Sequence, residues 1–175
     1  MAQQAAATSS QSERDVPGSI VGIFTAPTAG APMEQQGSVV LQPGVGIVGD
    51  RYALHTGTWS DPRWPDQELT LFEAETAEAA GIEPGLARRN IVTRGISLEG
   101  LIGVRFRIGG AVVAGVRACT PCRYIQEVTG VEGLTRALHS FKGGLRCRVL
   151  EAGKVRLGDV IEVLGLEPET EATSG

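Results

Sequence analysis

Val104-Arg-Phe-Arg-Ile-Gly-Gly-Ala-Val-Val-Ala-Gly-Val-Arg117 is the stretch that decides the fold class. Before the glycine pair, Val104, Phe106 and Ile108 alternate with Arg105 and Arg107, the period of two expected of a strand with one buried face. Gly109-Gly110 then permits a tight reversal, and Ala111 to Arg117 leads back as a second apolar strand. The segment is therefore expected to be an antiparallel hairpin.

Working outward, the same grammar recurs. Ser19-Ile-Val-Gly-Ile-Phe-Thr25 and Ser38-Val-Val-Leu41 are short β-branched runs bounded by Gly and Pro, and Gly44-Val-Gly-Ile-Val-Gly-Asp50 supplies backbone freedom between segments. Glu68-Leu-Thr-Leu-Phe72 and Asn90-Ile-Val-Thr93 read as further strands. Downstream, Leu145 to Leu150, Val155 to Leu157 and Val160 to Leu164 are alternating strand segments joined by turns at Glu151–Lys154 and Gly158-Asp159. Helices are few. Glu73 to Ala80 combines strong helix formers and early acids with a stop at Gly81, Leu98 to Ile102 suits a single turn, and Thr120-Pro-Cys-Arg-Tyr-Ile-Gln-Glu-Val128 opens with a cap residue and proline. Leu134 to His139 continues helically. Seven or more short strands with isolated helices predict a mainly β fold closed into a small barrel.

The whole chain has 175 residues, enough for one domain, with a hydrophobic content of 42%. Sixteen Lys and Arg against twenty Asp and Glu leave a mildly acidic balance, so nucleic acid is not the expected partner. No run approaches the roughly 20 apolar residues of a membrane span, and the first residues lack the cationic and apolar regions of a signal peptide, so a cytoplasmic protein is expected, without a membrane association. Residues 1–17, rich in Ala, Gln and Ser, and the acidic tail 167–175 lack apolar periodicity and are expected to be disordered, which leaves 18–166 as the folded domain. Three cysteines are an odd number, better read as free thiols than as a disulfide framework.

Cys122 is the first candidate for chemistry. With Thr120 as N-cap and Pro121 at the first helical position, it falls at the second, where free amides and the helix dipole favour a thiolate. A thiolate is both nucleophile and soft-metal ligand; the alternative is a buried cysteine serving as a small hydrophobe. Cys119-Thr-Pro-Cys122 has the spacing of a redox dithiol, but that chemistry needs a strand–helix–strand unit on a parallel sheet, and the surroundings look antiparallel. A zinc site would need Cys147, His55 or His139 at spacings unfamiliar for zinc. Two basic elements follow. Arg88-Arg89-Asn90, and Lys142 ahead of Gly143-Gly144, offer guanidinium, amide and ammonium donors to an anion such as phosphate, or else are solvated charges and a turn cap. Asp50 and Arg51 end the glycine-rich loop, where the carboxylate binds a cation, orients the arginine or closes a turn. His55 follows within reach of that loop, as an acid or base or as a surface residue. Trp59 and Trp64, in a proline-broken loop, either line a pocket mouth or cover the core.

Taken together, Gly49-Asp50-Arg51, Glu68-Leu-Thr-Leu-Phe72, Arg89-Asn90-Ile-Val, Leu98 to Gly103, Pro121-Cys122 and Gly158-Asp159 resemble, in order and spacing, the MOSC domain, the C-terminal domain of molybdenum-cofactor sulfurases. The resemblance spans most of residues 20–165. It implies a mostly antiparallel closed β-barrel, similar to the barrel domain of pyruvate kinase, and a molybdenum cofactor (molybdopterin) as ligand. By the same resemblance Cys122 would be the catalytic thiolate and molybdenum ligand, Arg89 and Asn90 would lie in the cofactor pocket with Asp50 and Arg51, and Lys142 would assist. Two activities are implied: reduction of N-hydroxylated compounds, with electrons from a partner protein, or carriage of the cofactor or of sulfur as a Cys122 persulfide, with a sulfurase as partner. A third reading keeps the barrel as a binding module with its pocket unused. Pyridoxal phosphate is associated with the sulfurase family only, since an aminotransferase-like domain and an iron–sulfur cysteine set are not visible in this sequence.

Overall fold

The computed structural model describes residues 16–61, 63 and 66–168. The expected disordered ends therefore fall, apart from a few residues, outside the described part. Among the described residues eleven strands form two sheets: β1 (Ser19–Thr25), β2 (Glu34–Gln35), β3 (Ser38–Gln42), β4 (Gly46–Ile47), β5 (Leu69–Glu73), β6 (Ile91–Arg94), β7 (Val104–Ile108), β8 (Ala111–Ala118), β9 (Leu145–Glu151), β10 (Gly153–Arg156) and β11 (Ile161–Leu166). The larger sheet has eight strands in the order β11-β7-β8-β9-β5-β6-β1-β2, and the smaller runs β10-β3-β4.

The Gly109-Gly110 hairpin forms as read, with Ile108 opposite Ala111 and Phe106 opposite Val113. Among the described residues every strand–strand pairing is antiparallel except β5 with β6, and an isolated parallel bridge joins Ile102 to Gly115 of β8. That exception follows from the chain between them, in which α1 (Ala74–Ala80) and a single 3₁₀ turn (Pro84–Ala87) make the crossover a parallel pair requires. α1 ends at Gly81, whose φ of 67° is the left-handed cap favoured by glycine.

Two expectations are corrected. The eight-stranded sheet is a curled half-barrel, open rather than closed. The start of β1 meets the turn that leads into β11, through the isolated bridge of Ser19 with Val160 and backbone hydrogen bonds at Gly18, Ile20, Gly158, Asp159 and Ile161, but β11 pairs as a strand with β7 and β1 with β2 and β6. The C-terminal strands also do not pair with one another: β10 leaves to join β3, while β11 returns to β7.

The curl creates two cores. Leu69, Leu71, Phe106, Ile108, Val113, Leu145 and Cys147 face inward with Ile20, Ile23 and Leu41. Phe72 points the other way, onto the outer face, where Ala77, Ala87, Ile125, Leu134 and Leu138 cover it. These come from α1, the 3₁₀ turn, α2 (Arg123–Thr129) and α3 (Leu134–Ala137). Leu69, Thr70, Leu71 and Phe72 are all buried because β5 is covered on both faces. Where the helical cover stops, the outer face of β5 and β9 opens into a cleft. No helix of the described residues is long and apolar enough to cross a membrane.

Candidate functional site

The floor of the cleft is set by strand pairing. Thr70 of β5 lies directly opposite Arg146 of β9, so both side chains leave the same outer face. One wall comes from the loop after β4, with Arg51, Tyr52, Thr58 and Trp59; a second from Arg88 and Arg89; a third from the start of α2, with Thr120, Cys122, Tyr124 and Ile125. Among the described residues four guanidiniums and no carboxylate line it. The water-accessible volume is about 40 Å³, room for a few waters at roughly 10–15 Å³ each.

Each arginine is held by the backbone or a neighbour, leaving part of its donor fork free. Arg51 donates through Nη1 to Asp50 Oδ1 at 3.1 Å and through Nη2 to the Arg88 carbonyl at 3.0 Å, and its guanidinium lies over the Tyr52 ring, 4.6 Å from the centroid. Arg88 donates through Nη1 to the Ala31 carbonyl at 2.7 Å, and Arg89 through Nε to the Gly143 carbonyl at 2.8 Å. Arg146 donates to Gln67 Oε1. Two nitrogens are left over: Arg88 Nη2 and Arg146 Nε are buried without a hydrogen-bond partner. Burial, and after it the neighbouring Arg51, push the Arg88 guanidinium below its ordinary pKa. Cationic donors packed against one another and unsatisfied are what an anion would relieve.

Asp50 stands behind this wall. Only 1% exposed, it accepts hydrogen bonds from the Ala26 amide, the Tyr52 amide and Arg51. It therefore closes its own turn and orients Arg51, two of the three roles left open by the sequence. Asn90, fully buried, lies beneath the floor rather than in it: its Oδ1 accepts from the Thr70 amide and hydroxyl, and its Nδ2 donates to the Phe24 carbonyl at 3.2 Å. It ties β1 and β5 to the start of β6 and fixes Thr70 for the cleft.

Cys122 is half-buried and faces the cleft. α2 begins two residues later than the sequence suggests, at Arg123, so Cys122 is the N-cap in extended conformation rather than the second helical residue. Pro121 keeps the preceding segment extended, and Thr135 donates to the Cys122 carbonyl at 3.3 Å. Cys119 is buried on the strand side, and the next strand, β9, runs antiparallel to β8, which is not the redox-dithiol context. Burial pushes the Cys147 thiol well above its ordinary pKa.

Lys142 is exposed and lies outside the cleft lining. Gly143 and Gly144 after it serve close packing. A Cβ on Gly143 would stand 2.1 Å from the Cys119 carbonyl oxygen, and one on Gly144, at φ 102°, 2.2 Å from that of Leu71. His55 and His139 are exposed and also outside the lining, while Trp59 is at its edge; Trp64 is outside the described residues. Among the described residues no three His, Cys, Asp or Glu side chains converge as a metal site, so Cys122 offers a metal a single protein ligand. Sequence reasoning did not find Arg146, Thr70 or Tyr124 as site residues, and it placed Arg88 in the basic element with Arg89 without distinguishing the two. The alternation of Arg146 with Leu145 and Cys147 was the available signal for Arg146, since it sends the arginine to the face opposite the inner core.

The family model described as MOSC domain matches residues 62–162, more than half of the chain. The chain belongs to the MOSC domain family. Among solved structures, this MOSC protein is similar to the YuaD protein from Bacillus subtilis, with 23% identity and a TM-score of 0.66 over 83% of this chain and 95% of that one. YiiM from Geobacillus stearothermophilus is 17% identical with a TM-score of 0.64, covering 85% of this chain and 75% of that one. YiiM from Escherichia coli is 19% identical with a TM-score of 0.58, covering 85% and 68%. At these identities the likeness establishes the fold. No curated protein sequence matches the chain.

Proposed function

We propose that this MOSC protein binds the molybdenum cofactor, with Cys122 as thiolate ligand to molybdenum and the guanidiniums of Arg51, Arg88, Arg89 and Arg146 gathered around its anionic phosphate. The carrying observation is the pair of buried, unpartnered nitrogens, Arg88 Nη2 and Arg146 Nε, in a carboxylate-free cleft that also presents the Cys122 thiol. Each such buried donor costs on the order of 1–3 kcal/mol while unsatisfied, more when charged, and a phosphate oxygen would remove that cost. Thiolate is a fitting donor for a polarizable metal, and the lining residues fit both ends of the group: sulfur for metal, planar forks for phosphate.

The cofactor, when bound, would supply two-electron chemistry at the metal, which in this reading reduces an N-hydroxylated compound with electrons from a partner protein. The residues of the chain bind and orient. Asp50 and Tyr52 hold Arg51, Asn90 holds Thr70, and Trp59 shields the mouth. A second reading is favoured by one observation: among the described residues no His, Asp or Glu lines the cleft as a general acid or base. In that case the domain carries the cofactor, or sulfur as a Cys122 persulfide, without turnover.

Purification from cells that make the cofactor tests both. Near-stoichiometric molybdenum and pterin, with reduction of an N-hydroxylated amidine by a chemical donor, supports the enzyme; cofactor without turnover, or a sulfur adduct on Cys122 in the intact mass, supports the carrier. Well-folded protein with neither metal, pterin nor adduct overturns the proposal.

A further inference from the structure

Arg88 is an unusual residue for its place in the chain. It caps the 3₁₀ turn with φ 56° and ψ 33°, the left-handed conformation that glycine or asparagine adopts at lower cost. An arginine here, buried to 8% exposure, accepts roughly 1–2 kcal/mol of backbone strain to place its side chain. That side chain forms a partition. On one side lies the cleft with Cys122; on the other lies a groove lined by Phe24, Met33, Pro84, Leu86 and Val128, to which Arg88 also contributes. The rest of the partition is equally thin: Arg51 Nη1 sits 3.4 Å from Met33 Sδ, and Arg88 Nη1 rests on the Ala31 carbonyl.

The two spaces differ in size and character. The cleft offers about 40 Å³ to water and the groove about 430 Å³, the latter within the roughly 300–1,000 Å³ of small-molecule sites. The cleft is cationic. The groove is apolar in its body, and its single lining carboxylate, Glu83, is exposed at the rim. Arg88 Nη2, the nitrogen without a partner, belongs to the residue shared by both.

We infer that the groove is a binding site for an amphipathic organic anion, its apolar body lying along Phe24, Met33, Leu86 and Val128 and its carboxylate or comparable head reaching the Arg88 guanidinium at the edge of the cleft. This inference rests on the anion-binding character of the cleft and not on the identity of any metal. Charge complementarity selects the head, since among the described residues Arg88 is the one cationic residue lining the groove and its Nη2 is buried without a hydrogen-bond partner. Volume selects the body, since the cleft alone holds little more than an anionic group and a few waters.

The probes are 2-naphthoate and its neutral counterpart 2-naphthamide, titrated into the full chain by calorimetry, with backbone amide shifts followed by NMR. Naphthoate is expected to bind saturably and about tenfold more tightly than the amide, the scale of one charge-assisted hydrogen bond, with shifts at Leu86 and Val128. Arg88→Gln is expected to abolish that preference, and Leu86→Ser, at a half-exposed position, to weaken both probes several-fold. Inorganic phosphate is expected to compete with naphthoate and not with naphthamide, which keeps the test decisive should Arg88→Gln fold poorly. Equal affinity for acid and amide, no saturable binding at millimolar concentrations, or shifts confined to another surface would overturn the inference. Cofactor-free protein that binds no naphthoate, while the same chain does acquire metal and pterin in cofactor-producing cells, refutes the groove and leaves the molybdenum proposal standing; saturable naphthoate binding by protein that never acquires metal or pterin does the reverse.

Discussion

Replacing Arg88 by methionine separates what the guanidinium does for folding from what it does for an anion. Methionine retains an unbranched stem of similar reach for the surrounding wall. Without ligand the terms nearly cancel. The variant loses the charged hydrogen bond to the Ala31 carbonyl, 2.7 Å in the native protein, of about 1.5–3 kcal/mol. It also loses the burden of the unpartnered Nη2 and the repulsion from Arg51, the former on the order of 1–3 kcal/mol. The two ranges differ by at most about 2 kcal/mol, so the melting temperature of the ligand-free protein should move by no more than about 8 °C, given about 2–4 °C per kcal/mol for chains of this size. With phosphate at a hundred times its dissociation constant, mass action adds about 2.7 kcal/mol to the native protein, a rise of about 5–11 °C. Arg88→Met should lose most of it. Differential scanning calorimetry over a phosphate series, repeated at fixed ionic strength with chloride, gives the result. A native protein indifferent to phosphate, or a variant that keeps the full rise, would refute the reasoning.

Three further outcomes follow from other parts of the molecule. Asn90→Ala removes the hydrogen bond to the Phe24 carbonyl and strips Thr70 of its acceptor in a fully buried position, so urea denaturation should show a loss of about 2–4 kcal/mol; a loss below 1 kcal/mol would contradict the bracing role. Burial pushes Glu68 above its ordinary value near 4.5 despite its bond from the Val149 amide. The folded state then binds a proton more tightly than the unfolded one, so stability should fall as pH rises from the ordinary value through the raised one. Glu68→Gln should flatten that slope in denaturation curves between about pH 4 and 7, and an unchanged slope assigns it to another group. Of the three cysteines, Cys119 and Cys147 are at most 1% exposed, so brief iodoacetamide treatment of native protein followed by peptide mass mapping should modify Cys122 alone; equal labelling of all three would mean that the outer layer opens readily.

Much of the fold was legible because strand signals are local. Alternation around Gly109-Gly110, the helix formers before Gly81 and the β-branched run Ser19–Thr25 each fixed an element from a few residues. Closure of the barrel was not local. Whether β11 meets β2, or β10 stays with β9, depends on which edges other strands have taken: β10 pairs with β3 in the smaller sheet, and the larger sheet ends at β11 on one side and β2 on the other. The site divides the same way. Cys122 and Arg51 announce themselves by neighbours in sequence, proline and a glycine-rich loop. Arg146 reaches the cleft only through its register opposite Thr70, and Arg88 only because the chain after the 3₁₀ turn takes a left-handed residue there. Lys142 looked like Arg89 in sequence, yet its glycines are needed to pass the Cys119 and Leu71 carbonyls, and the lysine turns out to solvent.

The most direct test of the thiolate-and-arginine site is X-ray absorption at the molybdenum edge on protein purified from cofactor-producing cells, for the native chain and for Cys122→Ser. The native spectrum should contain one more sulfur scatterer than the variant, with the variant still holding pterin through its unchanged arginines. Identical sulfur coordination in the two proteins, or native protein without molybdenum, would contradict it.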